Sequence, residues 1–190
     1  MPYDAIAAST QECEPLVSAV TRLGAPLTLP RNAEIYAQGD PVERMYLVVG
    51  GTIRTSRLGL DGRRQIGDFY GPGDLLGLEQ VLAVGAGELA GALLDATRRE
   101  LERAHAHMWM LGLKNAREKV VAFLGSRAPA PGGGLCDLPM GRQDMADYLG
   151  LTLETVSRML SQLQADEVVE FASARAFRIR NWAPLERIAA

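Results

Sequence analysis

Between Glu88 and Leu111 the chain carries no proline and a single glycine, Gly91. Within that stretch Leu94, Thr97, Leu101, Ala104, Met108 and Leu111 recur at spacings of 3, 4, 3, 4 and 3. This is a heptad seam, and Arg98, Arg99, Glu102 and Arg103 fall off it. A helix with such a seam either packs it on its own domain or pairs it with a copy of itself. The elements on both sides favour pairing, so Leu94, Leu101, Ala104, Met108 and Leu111 are the expected dimer interface. The helix divides the chain into three parts: 1–87, 88–113 and 114–190.

Ahead of the helix the residues read as β. Leu27–Pro30 and Ile35–Gln38 are short extended candidates, and Met45–Val49 is an apolar run stopped by Gly50-Gly51. Thr52–Leu58 and Arg63–Tyr70 flank Gly59-Leu60-Asp61-Gly62, and Asp-Gly between alternating runs is a strong hairpin signal. Gly71-Pro72-Gly73-Asp74 is a further turn. Short strands between glycine-rich turns suggest a roll or barrel.

Behind the long helix, Lys114–Arg127 reads as a second helix. Ala128-Pro129-Ala130-Pro131-Gly132-Gly133-Gly134 ends it, because two prolines and three glycines hold neither helix nor ladder. Arg142–Leu149 then reads as a short helix with Met145, Ala146 and Leu149 on one face. Gly150 suits a sharp turn between steeply crossed helices, and Thr152 is a good N-cap for Leu153–Ala165. The second helix turns Leu153, Val156, Leu160 and Leu163 inward, and Glu154, Thr155, Ser157 and Arg158 outward. That is a helix-turn-helix, whose second helix presents its first turns to the major groove. Arginine offers paired donors to guanine, glutamate accepts from a base amino group, and serine is small enough for close approach. Val168–Phe171 and Phe177–Arg180 bracket a hairpin wing. Arg142, Thr152, Thr155, Arg175 and Arg178 are the expected contacts to the DNA backbone. An ordinary solvated helix bearing a Glu154–Arg158 ion pair fits the same spacing.

The 190 residues are 47% hydrophobic and 23% charged, enough to bury a core. The net charge of −3 does not exclude DNA, because phosphate binding needs a basic face and not a basic protein. No apolar run approaches a membrane span of about 18 residues, and Met1–Thr10 does not read as a signal peptide. The two cysteines, Cys13 and Cys136, are far apart and make neither a disulfide framework nor a metal knuckle. A cytoplasmic location, no metal and no cofactor are expected. His105 and His107 point to different faces of one helix, and Cys136 is open to two roles, apolar filler or redox switch. A catalytic β-roll would need histidines or carboxylates inside the barrel, and neither histidine lies in the β region. No enzyme is expected.

The stretch Gly141–Arg158, GRQDMADYLGLTLETVSR, closely resembles the helix-turn-helix of Crp/Fnr regulators, in particular their FixK branch. Ile35–Asp40, Asp61–Ile66 and Phe69–Leu78 resemble the sensor roll of that branch. The resemblance implies an α+β chain: a β-roll of the cyclic-nucleotide-binding type, a long dimerisation helix and a winged helix-turn-helix. It implies a homodimeric regulator of activator type that binds an inverted repeat of double-stranded DNA and engages RNA polymerase. The sequence by itself does not decide between activation and repression. Glu154, Ser157 and Arg158 match the family's base-reading Glu-x-x-Ser-Arg, which implies a TTGAT-type half-site.

Two departures from the family are visible. Only Cys13 stands near the N-terminus, so no iron–sulfur cluster is expected. After Gln80 the chain passes through Val81–Gly87 into the long helix, where the family has about three more strands, roughly 20–30 residues. The roll is shortened and the phosphate cassette of the cyclic-nucleotide branch is missing, so no cyclic nucleotide is expected. Two alternatives remain: a dimeric interaction protein whose sensor is defective and whose DNA regulation is impaired, and a regulator that still answers an effector of cyclic-nucleotide type.

Overall fold

The computed structural model describes residues 14–41, 44–78, 89–129, 131 and 133–185. Cys13, Glu88 and the Val81–Gly87 junction lie outside the described residues. The chain divides into two compact units. One holds the described residues up to Arg63 together with Gly67–Ala104, and the other holds Arg64–Ile66 and the chain from His105 onward.

The first described element of the N-terminal unit is α1, Glu14–Leu23, which the β-rich reading did not anticipate. Its Leu16, Val17 and Val20 fall on one face and pack with Leu75, Leu78, Leu93 and Ala96. Strands β1 (Tyr46–Leu47) and β4 (Leu75–Leu76) pair antiparallel, with Tyr46 opposite Leu76. They cover a second cluster of Val48, Tyr70 and Leu76. Strands β2 (Ile53–Leu58) and β3 (Arg64–Tyr70) form the hairpin expected around Asp61-Gly62. Gly59 N–H donates to the Arg63 carbonyl at 2.8 Å, and Gly62 takes a positive φ of 76° that a side chain would strain.

Two of the short strand candidates are not strands. Leu27–Pro30 is irregular, and Leu27 and Leu29 are exposed. Ile35–Gln38 bends, with Ala37 N–H donating to the Asp40 side chain at 2.9 Å. A strand exists only with a ladder partner, and the described sheets of this unit are two-stranded pairs that include neither segment. The side chain of Gln38 instead accepts from Leu58 N–H at 2.9 Å, at the end of β2.

Helix α2, Ala90–Leu113, runs through the predicted seam and carries two faces one residue out of step. Leu93, Ala96 and Met110 are buried, with Glu100, Arg103 and His107 half-buried between them. On the other face Leu94, Leu101 and Met108 are 70%, 54% and 59% exposed, and Ala104 is exposed too. Leu111 is half-buried. Four of the six seam residues therefore lie on the face that this chain leaves uncovered, while Thr97 and Leu111 are half-buried.

The C-terminal unit contains α3 (Ala116–Arg127), β5 (Cys136–Asp137), α4 (Arg142–Leu149), α5 (Leu153–Ala165), β6 (Val169–Ser173) and β7 (Ala176–Ile179). Asn115 opens α3 with a capping box: Glu118 N–H donates to its side chain at 3.0 Å, and its own N–H donates to Glu118 at 2.9 Å. The three strands order β5-β7-β6, all antiparallel. Strand β5 is two residues long, too short for any periodicity to announce it. Phe177 on β7 faces Cys136 on one side and Phe171 on the other, is fully buried, and meets the Phe171 ring at 6.1 Å. Phe177→Ala should lower the stability of this unit by about 3–5 kcal/mol, read by urea denaturation, because no neighbour on a three-stranded sheet can fill the void.

Candidate nucleic-acid interface

The helix-turn-helix owes its shape to three local devices. Helix α4 ends at Gly150, which adopts the left-handed conformation (φ 61°, ψ 39°) while its N–H donates back to the Ala146 carbonyl. A Cβ at Gly150 would lie 3.5 Å from Leu111, so strain in φ, more than lack of room, selects glycine there. Thr152 then caps α5, its hydroxyl oxygen accepting from Thr155 N–H at 3.2 Å. Val156, Met159, Leu160 and Leu163 of α5 are buried against Met145, Ala146 and Leu149 of α4 and the rest of the unit. Leu153, expected to turn inward, is instead 38% exposed, and Met159 takes the inward position. As the first residue of the helix, Leu153 precedes the turn that packs.

Opposite that buried face, Glu154 and Arg158 are exposed and Thr155 and Ser157 half-buried. Positions i, i+3 and i+4 share one helix face, so Glu154, Ser157 and Arg158 stand together on the first turns of α5. Among the described residues no ion pair joins Glu154 to Arg158. The Glu154 carboxyl is held below its ordinary value by its own backbone N–H and by the Thr152 side chain, at the positive end of the helix. Arg158 is left pointing into solvent. Arg142 is exposed on the first turn of α4, and Arg175 is exposed in the turn between β6 and β7, which Arg175 N–H tightens by donating to Ser173 Oγ at 3.2 Å. The hydroxyls of Thr152 and Thr155 lie 3.1 Å apart and are hydrogen-bonded to each other. Arg178 differs from the other arginines of the set: Glu170 holds it in a bidentate pair at 3.0 and 2.9 Å.

Two profiles match the chain: a cyclic nucleotide-binding domain over residues 26–92 and a Crp-like helix-turn-helix domain over residues 118–188. The nitrogen fixation regulation protein FixK of Azorhizobium caulinodans is 37% identical, with 89% of this chain and 81% of that protein covered. The FixK of Rhizobium meliloti is 36% identical over 93% of this chain and 94% of its own length. This chain is a FixK-like member of the Crp/Fnr family. The structure of FixK2 from Bradyrhizobium japonicum superposes with a TM-score of 0.72 at 38% identity, covering 83% of this chain and 93% of that one. A FixK-like chain is a transcription regulator with a DNA-binding helix-turn-helix, and its relatives are regulators, not enzymes. The alignment to the Azorhizobium protein spans 200 positions, whereas 89% of 190 residues supplies about 169 of them. About 31 aligned positions therefore have no counterpart in this FixK-like chain.

Residues beyond the motif hold α4 in place, and the sequence reading did not find them. Arg64 donates from Nε to Asp147 and from Nη2 to Asp144, both at 2.6 Å. Partial burial opposes the charge of Arg64, but Asp147 and Asp144 outweigh it and hold its pKa above the ordinary value. Gln143 bonds the other oxygen of Asp147 at 2.8 Å, and Gln65 donates to the Tyr148 carbonyl at 3.2 Å. His107 stacks flat on Tyr148 with ring centroids 4.0 Å apart, and Tyr148 meets Phe123 at 5.5 Å. No local pattern announces such pairs, because Arg64 and Asp144 are 80 residues apart.

Cys136 is half-buried, and its Sγ lies 2.6 Å from the Arg127 carbonyl. Burial and then Asp137 push its thiol pKa up, which suits the filler role better than a reactive one. Among the described residues no helix is long and apolar enough to cross a membrane.

Removing Arg64 should loosen α4 without touching the outward face of α5. Arg64→Ala leaves two largely buried carboxylates without their cation and should cost about 2 kcal/mol, between the surface and fully buried limits. Denaturant titration reads the loss. An unchanged midpoint would show that the clasp does not contribute to stability.

Proposed function

We propose that this chain acts in the cytoplasm as a homodimer that reads a TTGAT-type inverted repeat through Glu154, Ser157 and Arg158. Arg142, Thr152, Thr155 and Arg175 meet the DNA backbone, and the bound dimer engages RNA polymerase as an activator. The observation that carries this reading is the outward face of α5, where Arg158 is exposed and free of Glu154 on the first turns of a capped helix. A guanidinium in that position can present its paired donors to guanine O6 and N7.

The uncovered stripe on α2 supports the homodimer. A copy of the chain meeting it about a two-fold axis covers Leu94, Leu101, Ala104 and Met108 with their own equivalents, as an isologous interface requires. Leu111, packed beside Gly150, contributes at the end of that stripe.

The dimer works without cyclic nucleotide or iron–sulfur cluster. The Arg103 side chain stands near the turn at Gly71–Asp74, but carboxylates already surround it. It bonds Glu100, reaches Asp74 at 3.2 Å and lies 3.7 Å from Asp68, while Tyr70 donates to Glu100 at 2.6 Å. Burial works against the Arg103 charge, and these three carboxylates more than restore it. Three carboxylates around one arginine make a net negative site, which does not fit a cyclic phosphate.

The deciding experiment compares duplexes by band shift at fixed salt. The wild-type chain should bind a TTGAT palindrome more tightly than a scrambled duplex, and equal affinities overturn the reading. Arg158→Ala should cost about 1–3 kcal/mol on the palindrome and relax the preference at one base pair per half-site. Arg175→Ala should weaken all duplexes alike and reduce the salt slope by about one per subunit.

Replacing Leu101 and Met108 together by glutamate should give a monomer in sedimentation, because like charges would face each other across the seam. A dimer of unchanged stability would place the interface elsewhere.

A further inference from the structure

The wing carries an acidic residue where phosphate binding calls for free arginines. In the register of the hairpin Glu170 on β6 stands directly opposite Arg178 on β7. Its two oxygens receive the Arg178 fork at 3.0 and 2.9 Å, and Oε2 also takes the guanidinium of Arg180. Arg178 first, and Arg180 with it, hold the Glu170 carboxyl below its ordinary value, so it remains charged throughout the physiological range. Val169 and Phe177 bury the opposite face of the hairpin, which leaves the Glu170–Arg178–Arg180 triad on the outer side. A carboxylate and a phosphate present similar paired oxygens to a guanidinium fork. An arginine held by Glu170 has its charge offset and its Nε–Nη2 edge occupied, so it can offer phosphate only its remaining N–H groups and a weaker pull.

We propose that Glu170 is an internal competitor of DNA phosphate: it occupies Arg178 and Arg180, keeps the sequence-independent grip of the wing weak, and so leaves discrimination to α5. This rests on the DNA-binding reading above and makes Glu170 a specificity-determining residue. Removing its charge should tighten binding, which is the opposite of what a residue that merely fastens the hairpin would do.

The test is Glu170→Gln in the full chain, with affinities for the palindrome and a scrambled duplex measured by fluorescence anisotropy between 50 and 200 mM salt. Both duplexes should be bound more tightly than by wild type, the salt slope should steepen, and the ratio of palindrome to scrambled affinity should fall. If one phosphate is newly engaged per subunit, the gain over wild type should grow by about tenfold between 200 and 50 mM salt, from a slope of about 0.9 per phosphate. Glu167→Gln, an exposed carboxylate at the entry to the same hairpin, is the control for overall charge and should give no comparable steepening. Arg178→Ala should cost little in the wild-type background, and Arg178→Ala together with Arg180→Ala should abolish the gain of Glu170→Gln.

A Glu170→Gln chain that binds no tighter than wild type overturns the proposal, as does an equal gain from Glu167→Gln. Should Glu170→Gln fail to fold, Arg178→Ala alone decides: a loss of salt slope equal to that of Arg175→Ala shows Arg178 already on phosphate and overturns it. A wild-type chain that binds neither duplex overturns the DNA-binding reading itself, whereas specific wild-type binding with an unresponsive Glu170 overturns only this inference.

Discussion

A helix has one surface to bury inside its own chain, and α2 has more apolar surface than that. Its inner row, Leu93, Ala96 and Met110, is satisfied by the chain itself. The row one step round, Leu94, Leu101, Ala104 and Met108, faces water. At about 25 cal/mol per Å² of apolar area, such a stripe is a standing driving force for association. The polar middle of the inner row matters as much. Glu100 and Arg103 are drawn into the cluster with Asp68, Tyr70 and Asp74, which ties the first part of the helix to the N-terminal unit by directional bonds where leucines would have made the two rows alike. The helix thus has one face that its own chain fixes and one that it leaves exposed, the face the proposed dimer would cover.

What could be read from the sequence was whatever repeats at short range. The bounds of α4 and α5, the turn at Gly150, the cap at Thr152, the hairpin at Asp61-Gly62 and the uncovered seam of α2 all follow from local chemistry or periodicity. The losses have equally physical causes. Leu27–Pro30 and Ile35–Gln38 have strand-like composition, but a strand needs a partner elsewhere in the chain. Helix α1 is short, and its apolar residues serve a core assembled from distant segments. The clasp of Arg64 on Asp144 and Asp147 joins residues about 80 apart, with no intervening pattern. Glu170 could not be placed by counting: from the Ser173–Ala176 pair a regular ladder sets it across from Ile179, and only the register shift between Phe171 and Ser173 brings it opposite Arg178.

The charge distribution explains how an acidic chain can serve a polyanion. Carboxylates of the described residues are engaged with arginines in several places: Asp144 and Asp147 with Arg64, Asp166 with Arg117, and Glu170 with Arg178 and Arg180. The exposed arginines at Arg142, Arg158 and Arg175 keep their charge for other partners. Net charge governs behaviour beyond a Debye length of about 8 Å, whereas a phosphate in contact responds to the few charges nearest it.

The two rows of α2 differ by a single residue step, and that gives the helix something like a reading frame. One residue inserted between Ala96 and Glu100 would rotate everything downstream by about 100°. Met110 and His107 would leave their places, and the exposed stripe would break in the middle. Substitutions on α2 can be judged position by position, but changes of length cannot. A change of length is compatible with both rows only outside the helix, where it leaves their relative phase untouched.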